Sequence, residues 1–136
     1  MSSYLTFYIK PKEEGSKPIS LISYSRNSEI YQYFKDSINP AYIGNGDEMN
    51  YTELTVSDIN KVIEYLKDNI DKAKARLYEY EKHASGNLEI IEEILNQKDY
   101  LNDLGITLYQ IYFIQNIVEE STYSWNDYNK VLCNID

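Results

Sequence analysis

His83 and Cys133 are the only histidine and the only cysteine in this 136-residue chain. As a nucleophile and base they would have to approach within about 3 Å. The local pattern separates them. His83 falls in a predicted turn between two long helices and Cys133 in the closing segment, so an extended hairpin would hold them at opposite ends of the molecule. One cysteine and one histidine also fall short of the four ligands of a structural zinc site. Glu89, Glu92, Glu93, Asp99 and Asp103 form the densest carboxylate group. No Glu-x-x-His accompanies them, so the di-metal bundle signature is missing. Acids are favoured in the opening turns of a helix by its dipole, which accounts for the glutamates without a metal.

Two further constellations have simple explanations. Gly44 and Gly46 in IGNGDE lack the later glycine of a dinucleotide fingerprint and the Gly-Lys-Ser/Thr of a P-loop, so the stretch reads as a turn. Ser25, Arg26 and Ser28, with Ser20 and Ser23 nearby, lie where a strand gives way to a helix, a place where anions bind. Capping explains the same serines, and a small-ligand or signalling-nucleotide pocket is the alternative. No catalytic residue, cofactor or metal is expected, and the chain reads as a non-enzyme.

The elements that must position these residues follow from hydrophobic period. YLTFYIK alternates as a half-buried strand, PKEEGSKP turns, and ISLISYS returns antiparallel as a hairpin. SRNSEIYQYFKDSINP gives a short helix, capped at Asn27 or Ser28, with Ile30, Tyr33, Phe34 and Ile38 on one face and a stop before Pro40. AYIGNGDEMNY is the main irregular loop, and Asn50 to Glu53 could add a third strand. From Val56 onward a heptad sets in. Val56, Ile63, Ile70 and Leu77 take one core position and Ile59, Leu66, Ala73 and Tyr80 the other, with Thr55 and Asp58 spaced to cap the start.

The same spacing resumes at Leu88 and runs to about Glu120 through Ile94, Leu101, Leu108 and Ile111, with Gln97 and Gln115 as polar members. ASGN between the runs predicts a tight turn and an antiparallel helical hairpin that sets Ala73 opposite Gln97. Two helices alone leave one side of their seam weakly covered. Tyr65, Tyr78, Tyr100, Tyr109 and Tyr112 are placed to cover it or to meet a partner, a second copy included.

STYSWNDYNKVLCNID closes the chain with the only tryptophan, Trp125. Ser124 with Asp127, then Trp125, Tyr128, Leu132 and Ile135 at helical spacing, favour a short helix, while Val131, Cys133 and Ile135 alternate as a strand would. Cys133 reads as a small buried apolar residue. The expected fold is α+β in one domain of 1–136. It has a head of 1–55 and 121–136, formed by a β-hairpin or three-stranded sheet with a short helix and a C-terminal helix or strand, and a helical hairpin of 56–120.

Net charge is −9, and residues 83–136 hold 9 acidic side chains against 2 basic ones. With Arg26 and Arg76 as its only arginines, the chain is not expected to bind nucleic acid directly. A basic protein surface is the matching partner, contacted by Glu89, Glu92, Glu93, Asp99 and Asp103 together with Tyr100 and Tyr109. No apolar run reaches the ~20 residues of a membrane span, the opening does not have the order of a signal peptide, and a lone cysteine does not call for an oxidising compartment. A cytoplasmic protein without membrane contact is expected.

Isoleucine, asparagine, lysine and tyrosine make up 56 of the 136 residues, all with AT-rich codons. With SYLTFYIKPK, SYSRNSEIYQYF and YNKVLCNID, this usage resembles small accessory proteins of bacteriophages, without a named family and without site residues to carry over. The resemblance implies action in a host cytoplasm, as an inhibitor of a host defence factor such as a CRISPR-type nuclease. The alternative it leaves is a structural or assembly component that forms a homo-oligomer.

Overall fold

The computed structural model describes residues 3–10, 15, 17–38, 42–43, 52–123 and 130–136, without the side chains of 121–123. Two strands open the chain, β1 (Tyr4–Lys10) and β2 (Ile19–Ser25). Then come α1 (Glu29–Ser37), the two-residue β3 (Thr52–Glu53), α2 (Val56–Lys82), α3 (Leu88–Tyr123) and β4 (Lys130–Ile135). The arrangement is α+β, with a helical hairpin between the third and fourth strands.

The strands form one four-stranded antiparallel sheet in the order β2-β1-β4-β3. Leu21 is a bulge. Phe7 pairs with Ile22 and Tyr8 with Ser20, so one residue of β2 is left over between them. Because strand faces alternate with period two, the extra residue is what lets Ile19 and Ile22 both lie opposite the Leu5, Phe7, Ile9 face of β1. Without it the apolar residues of β2 would fall on opposite faces.

The closing segment is a strand from Lys130 and not the short helix that its spacing favours. β4 lies between β1 and β3, pairing Phe7 with Cys133 on one side and Thr52 with Cys133 on the other. Helical bonding here would leave the facing edges of β1 and β3 without partners, and pairing on both sides settles the competition. Val131 to Ile135 are all buried, the continuous pattern of a strand covered on both faces. A main-chain bond from Leu54 to Val131 (2.9 Å) and a single parallel bridge between Ile43 and Ile135 extend the same pairing. Trp125, Tyr128, Gly44, Gly46 and the Ser124–Asp127 capping pair lie outside the described residues.

α1 starts at Ser28, whose Oγ accepts the Tyr31 N–H at 3.4 Å, and it lays Ile30, Tyr31 and Phe34 on the sheet. Four rings run in series through this core. Tyr24 meets Phe7 at 6.3 Å, Phe7 meets Phe34 at 5.6 Å, and Phe34 meets Tyr42 at 6.2 Å, the first two pairs edge to face. The Tyr31 hydroxyl donates to the main-chain oxygen of Asp136 at 2.7 Å, fastening α1 to the end of β4.

The chain divides into two compact units, Met1–Val62 with Phe113–Asp136, and Ile63–Tyr112. In the first, Ile59, Val62, Ile114 and Val118 are buried along with the sheet residues, and Gln115 Nε2 donates to Asn60 Oδ1 at 2.9 Å across the two helices. In the second, Ile63, Leu66, Ala73, Leu104 and Ile111 form the seam. Ile70, Leu77 and Tyr80 are only half-buried, as expected of two helices that cover each other on one side. Gln97 accepts from Arg76 Nε at 3.3 Å, one turn beyond the Ala73 that heptad counting set opposite it. Gly86, at φ 73°, and Asn87 end the turn, with Asn87 Oδ1 accepting the N–H groups of Glu89 and Ile90 as the cap of α3.

Candidate functional site

The start of α2 contains a buried polar relay. Thr55 Oγ1 accepts the Asp58 N–H at 3.1 Å, half of a capping box. In the usual box a glutamate reaches back to the cap residue's own N–H, but aspartate is one methylene shorter. The Tyr42 hydroxyl fills the gap. It donates to Asp58 Oδ2 at 2.5 Å and accepts the Thr55 N–H at 3.4 Å. Asp58 is 7% exposed and Tyr42 fully buried, so the pair is a charge-assisted bond largely withdrawn from water. Lys61 Nζ stands 4.0 Å from the other carboxylate oxygen.

Cys133 is buried within electrostatic reach of this relay. Burial, then the negative charge of Asp58, push the Cys133 thiol well above its ordinary range. Burial, then its bond to the Asp58 carboxylate, do the same to the Tyr42 phenol, and burial alone raises Tyr24. His83 and Cys133 belong to different units, and His83 is exposed in the turn. Among the described residues no group of three or more His, Cys, Asp or Glu is gathered to hold a metal.

Two outcomes follow. Cys133 in the folded protein should react with a thiol reagent at least about 100-fold more slowly than in the unfolded chain, because reaction requires opening of a core strand. All three groups hold their protons more tightly folded than unfolded, so stability should be complete below about pH 9, where free thiols begin to ionise. It should fall as pH rises further, by at most ~1.4 kcal/mol per pH unit for each group. Urea midpoints that stay flat from about pH 8 to 11 would contradict the burial of these groups.

The acidic residues singled out by sequence lie on the surface of α3. Glu89, Glu92, Glu93, Asp99 and Asp103 are all exposed, and none makes an ion pair within 4 Å among the described residues. Glu89, Glu92, Asp99 and Asp103 fall on one helical line with Asn96 between them. Like charges at such spacing cost the helix ~0.2–0.5 kcal/mol per pair. Tyr109 is 81% exposed, whereas Tyr100 is half-buried. Tyr78 carries Lys82 over its ring at 4.3 Å, and Tyr112 carries Lys67 at 5.7 Å.

Beside the acidic line runs a row that the heptad pattern did not reveal. Leu88, Ile91, Leu95, Ile106 and Tyr109 are all exposed, Leu88 by 77%. From Leu104 to Val118 the chain carries no charged residue, so α3 is apolar on two sides there, and only one side meets α2. That uncharged run was the available sequence signal. An open groove lined by Leu101, Asn102, Gly105, Ile106, Tyr109 and Gln110 follows the row.

The residues around Arg26 form a turn and a helix cap. Arg26 N–H donates to Ser3 O at 3.0 Å and its carbonyl accepts from Gln32 Nε2 at 3.0 Å. The Ser28 hydroxyl donates to Ser25 O at 2.6 Å while accepting from Tyr31. Among the described residues no helix is long and apolar enough to cross a membrane. No protein-family model, curated protein or solved structure matches the chain, so function must be read from these residues themselves.

Proposed function

We propose that the protein is a non-enzymatic binding protein that docks on a basic host protein and blocks it, using the acidic line of α3. A nucleic-acid-processing enzyme, CRISPR-type nucleases included, is the partner class whose charges match. The observation that carries this reading is an exposed run of like charges, without an ion pair within 4 Å among the described residues, that continues through Asp99 and Asp103, beyond the opening turns where the helix dipole favours acids. Complementary charge on a partner would pair these exposed carboxylates. The resemblance in style to bacteriophage proteins supports the host-directed part of the reading.

The test combines affinity capture from the host with charge reversal. A captured basic protein should bind at least about tenfold more weakly on raising salt from ~50 to ~300 mM, as expected of screened charge pairs. Glu89→Lys with Glu92→Lys and Asp103→Lys should abolish that binding while the chain still folds, at a cost of roughly 1–2 kcal/mol for two cations in the opening turns of α3. Undiminished capture of the same protein by the triple variant would defeat the reading.

A further inference from the structure

The exposed row of α3 has a spacing that reads the same in both directions. Leu88, Ile91, Leu95 and Lys98 step by three, four and three residues, and Tyr109, Ile106, Asn102 and Asp99 step by the same intervals when read backward. All eight are exposed on one side of the helix within the unit Ile63–Tyr112. A two-fold interface requires this property, since residue i must meet residue j while j meets i.

We propose that the protein self-associates as a two-fold dimer in which α3 of one copy lies antiparallel against α3 of a second. Leu88 then faces Tyr109 of the second copy, Ile91 faces Ile106, and Leu95 faces Asn102. Lys98 and Asp99 stand on either side of the dyad, each opposite the other's counterpart, so the only charges within the row meet as two opposite pairs. Neither residue has an ion-pair partner within 4 Å among the described residues of its own chain.

Charge also selects the direction. A parallel pairing would bring Glu89, Glu92 and Glu93 against their own copies. In the antiparallel pairing Glu89, Glu92 and Glu93 fall level with Leu108, Gly105 and Leu104 of the second copy, inside the stretch that has no charge. Gly105 presents open space where a Cβ would stand, which lets the facing helix approach its backbone. The row of 22 residues is ~33 Å long. Two such rows bury on the order of 1,000 Å² in total, the lower end for a specific interface, which fits a dimer of micromolar affinity.

Asp99 belongs both to the acidic line and to this row, whereas Glu89, Glu92 and Asp103 lie outside the row, so Ile106→Lys tests the dimer apart from binding of a basic partner. The test is sedimentation equilibrium of the full chain from about 1 to 100 μM, spanning the affinity expected of so small an interface. The mass should rise from monomer to dimer. Lys98→Asp alone and Asp99→Lys alone should each weaken the dimer about tenfold, since two favourable pairs become two repulsive ones. The double exchange K98D/D99K restores opposite pairing and should return affinity to within about threefold of the original, a recovery that no loss of folding could mimic. Ile106→Lys should give a folded monomer. A chain monomeric at ~100 μM overturns the proposal, and so does a dimer indifferent to Ile106→Lys or not rescued by the double exchange.

Discussion

Replacing Phe34 with alanine is expected to remove ~3–5 kcal/mol of stability, the largest single effect of any substitution in the sheet-bearing unit. Phe34 is fully buried and is the third of the four rings that run from Tyr24 to Tyr42, in contact with Phe7 on one side and Tyr42 on the other. Its removal costs the transfer free energy of the ring, leaves a cavity between sheet and helix, and breaks two aromatic contacts worth ~0.5–1.5 kcal/mol each beyond area. For a chain this size the loss should lower the melting temperature by roughly 10–20 °C. Urea unfolding should show a lower midpoint with an unchanged slope. Phe113→Ala is the control: with 53% of that residue exposed, its loss should cost under ~1 kcal/mol. If Phe34→Ala costs no more than Phe113→Ala, the aromatic series is not the core of the unit.

Tyr42→Phe should cost ~2–3 kcal/mol, although it deletes a single oxygen. The phenol donates to the Asp58 carboxylate and accepts the Thr55 N–H, with Glu53 O a further contact at 3.5 Å, and its loss leaves the buried Asp58 carboxylate without that bond. Asp58 is then left with only the distant Lys61 ammonium beside it, at 4.0 Å. A double-mutant cycle with Asp58→Asn isolates the contact, and a coupling of at least ~1 kcal/mol is expected. Coupling near zero would mean that the hydroxyl bonds water in solution and that the relay contributes nothing to capping α2.

Residues 56 to 118 were largely legible in sequence because a helix carries its signal in its own period. Val56 and Lys82 bound α2 and Leu88 opens α3 where Thr55, Asp58, Gly86 and Asn87 mark the ends. The acidic and tyrosine candidates on α3 were legible for the same reason, since a surface position follows from the phase of the seam. The row from Leu88 to Tyr109 escaped notice because apolar residues on a second face blur that phase.

The sheet was less legible. β1 and β2 adjoin in sequence and could be paired from alternation and turn residues, whereas the partners of β4 lie more than a hundred residues before it in β1 and some eighty before it in β3. The Tyr42 relay has no sequence signal either. Its three members come from an irregular segment, a cap and a helix, and only chain folding brings a phenol to the point where an aspartate is too short to close its box.

By itself, then, the sequence determined the helical hairpin, the first β-hairpin, the surface position of the acids and the burial of Cys133, all of which follow from local period, turn chemistry and composition. Tertiary structure alone decided that Val131 to Ile135 form a strand, that Tyr42 completes the cap of α2, and that one apolar row of α3 stays exposed. In each of these the local preference is nearly balanced. Hydrogen-bond pairing and burial against distant segments contribute the difference, and a sequence window cannot contain the partner.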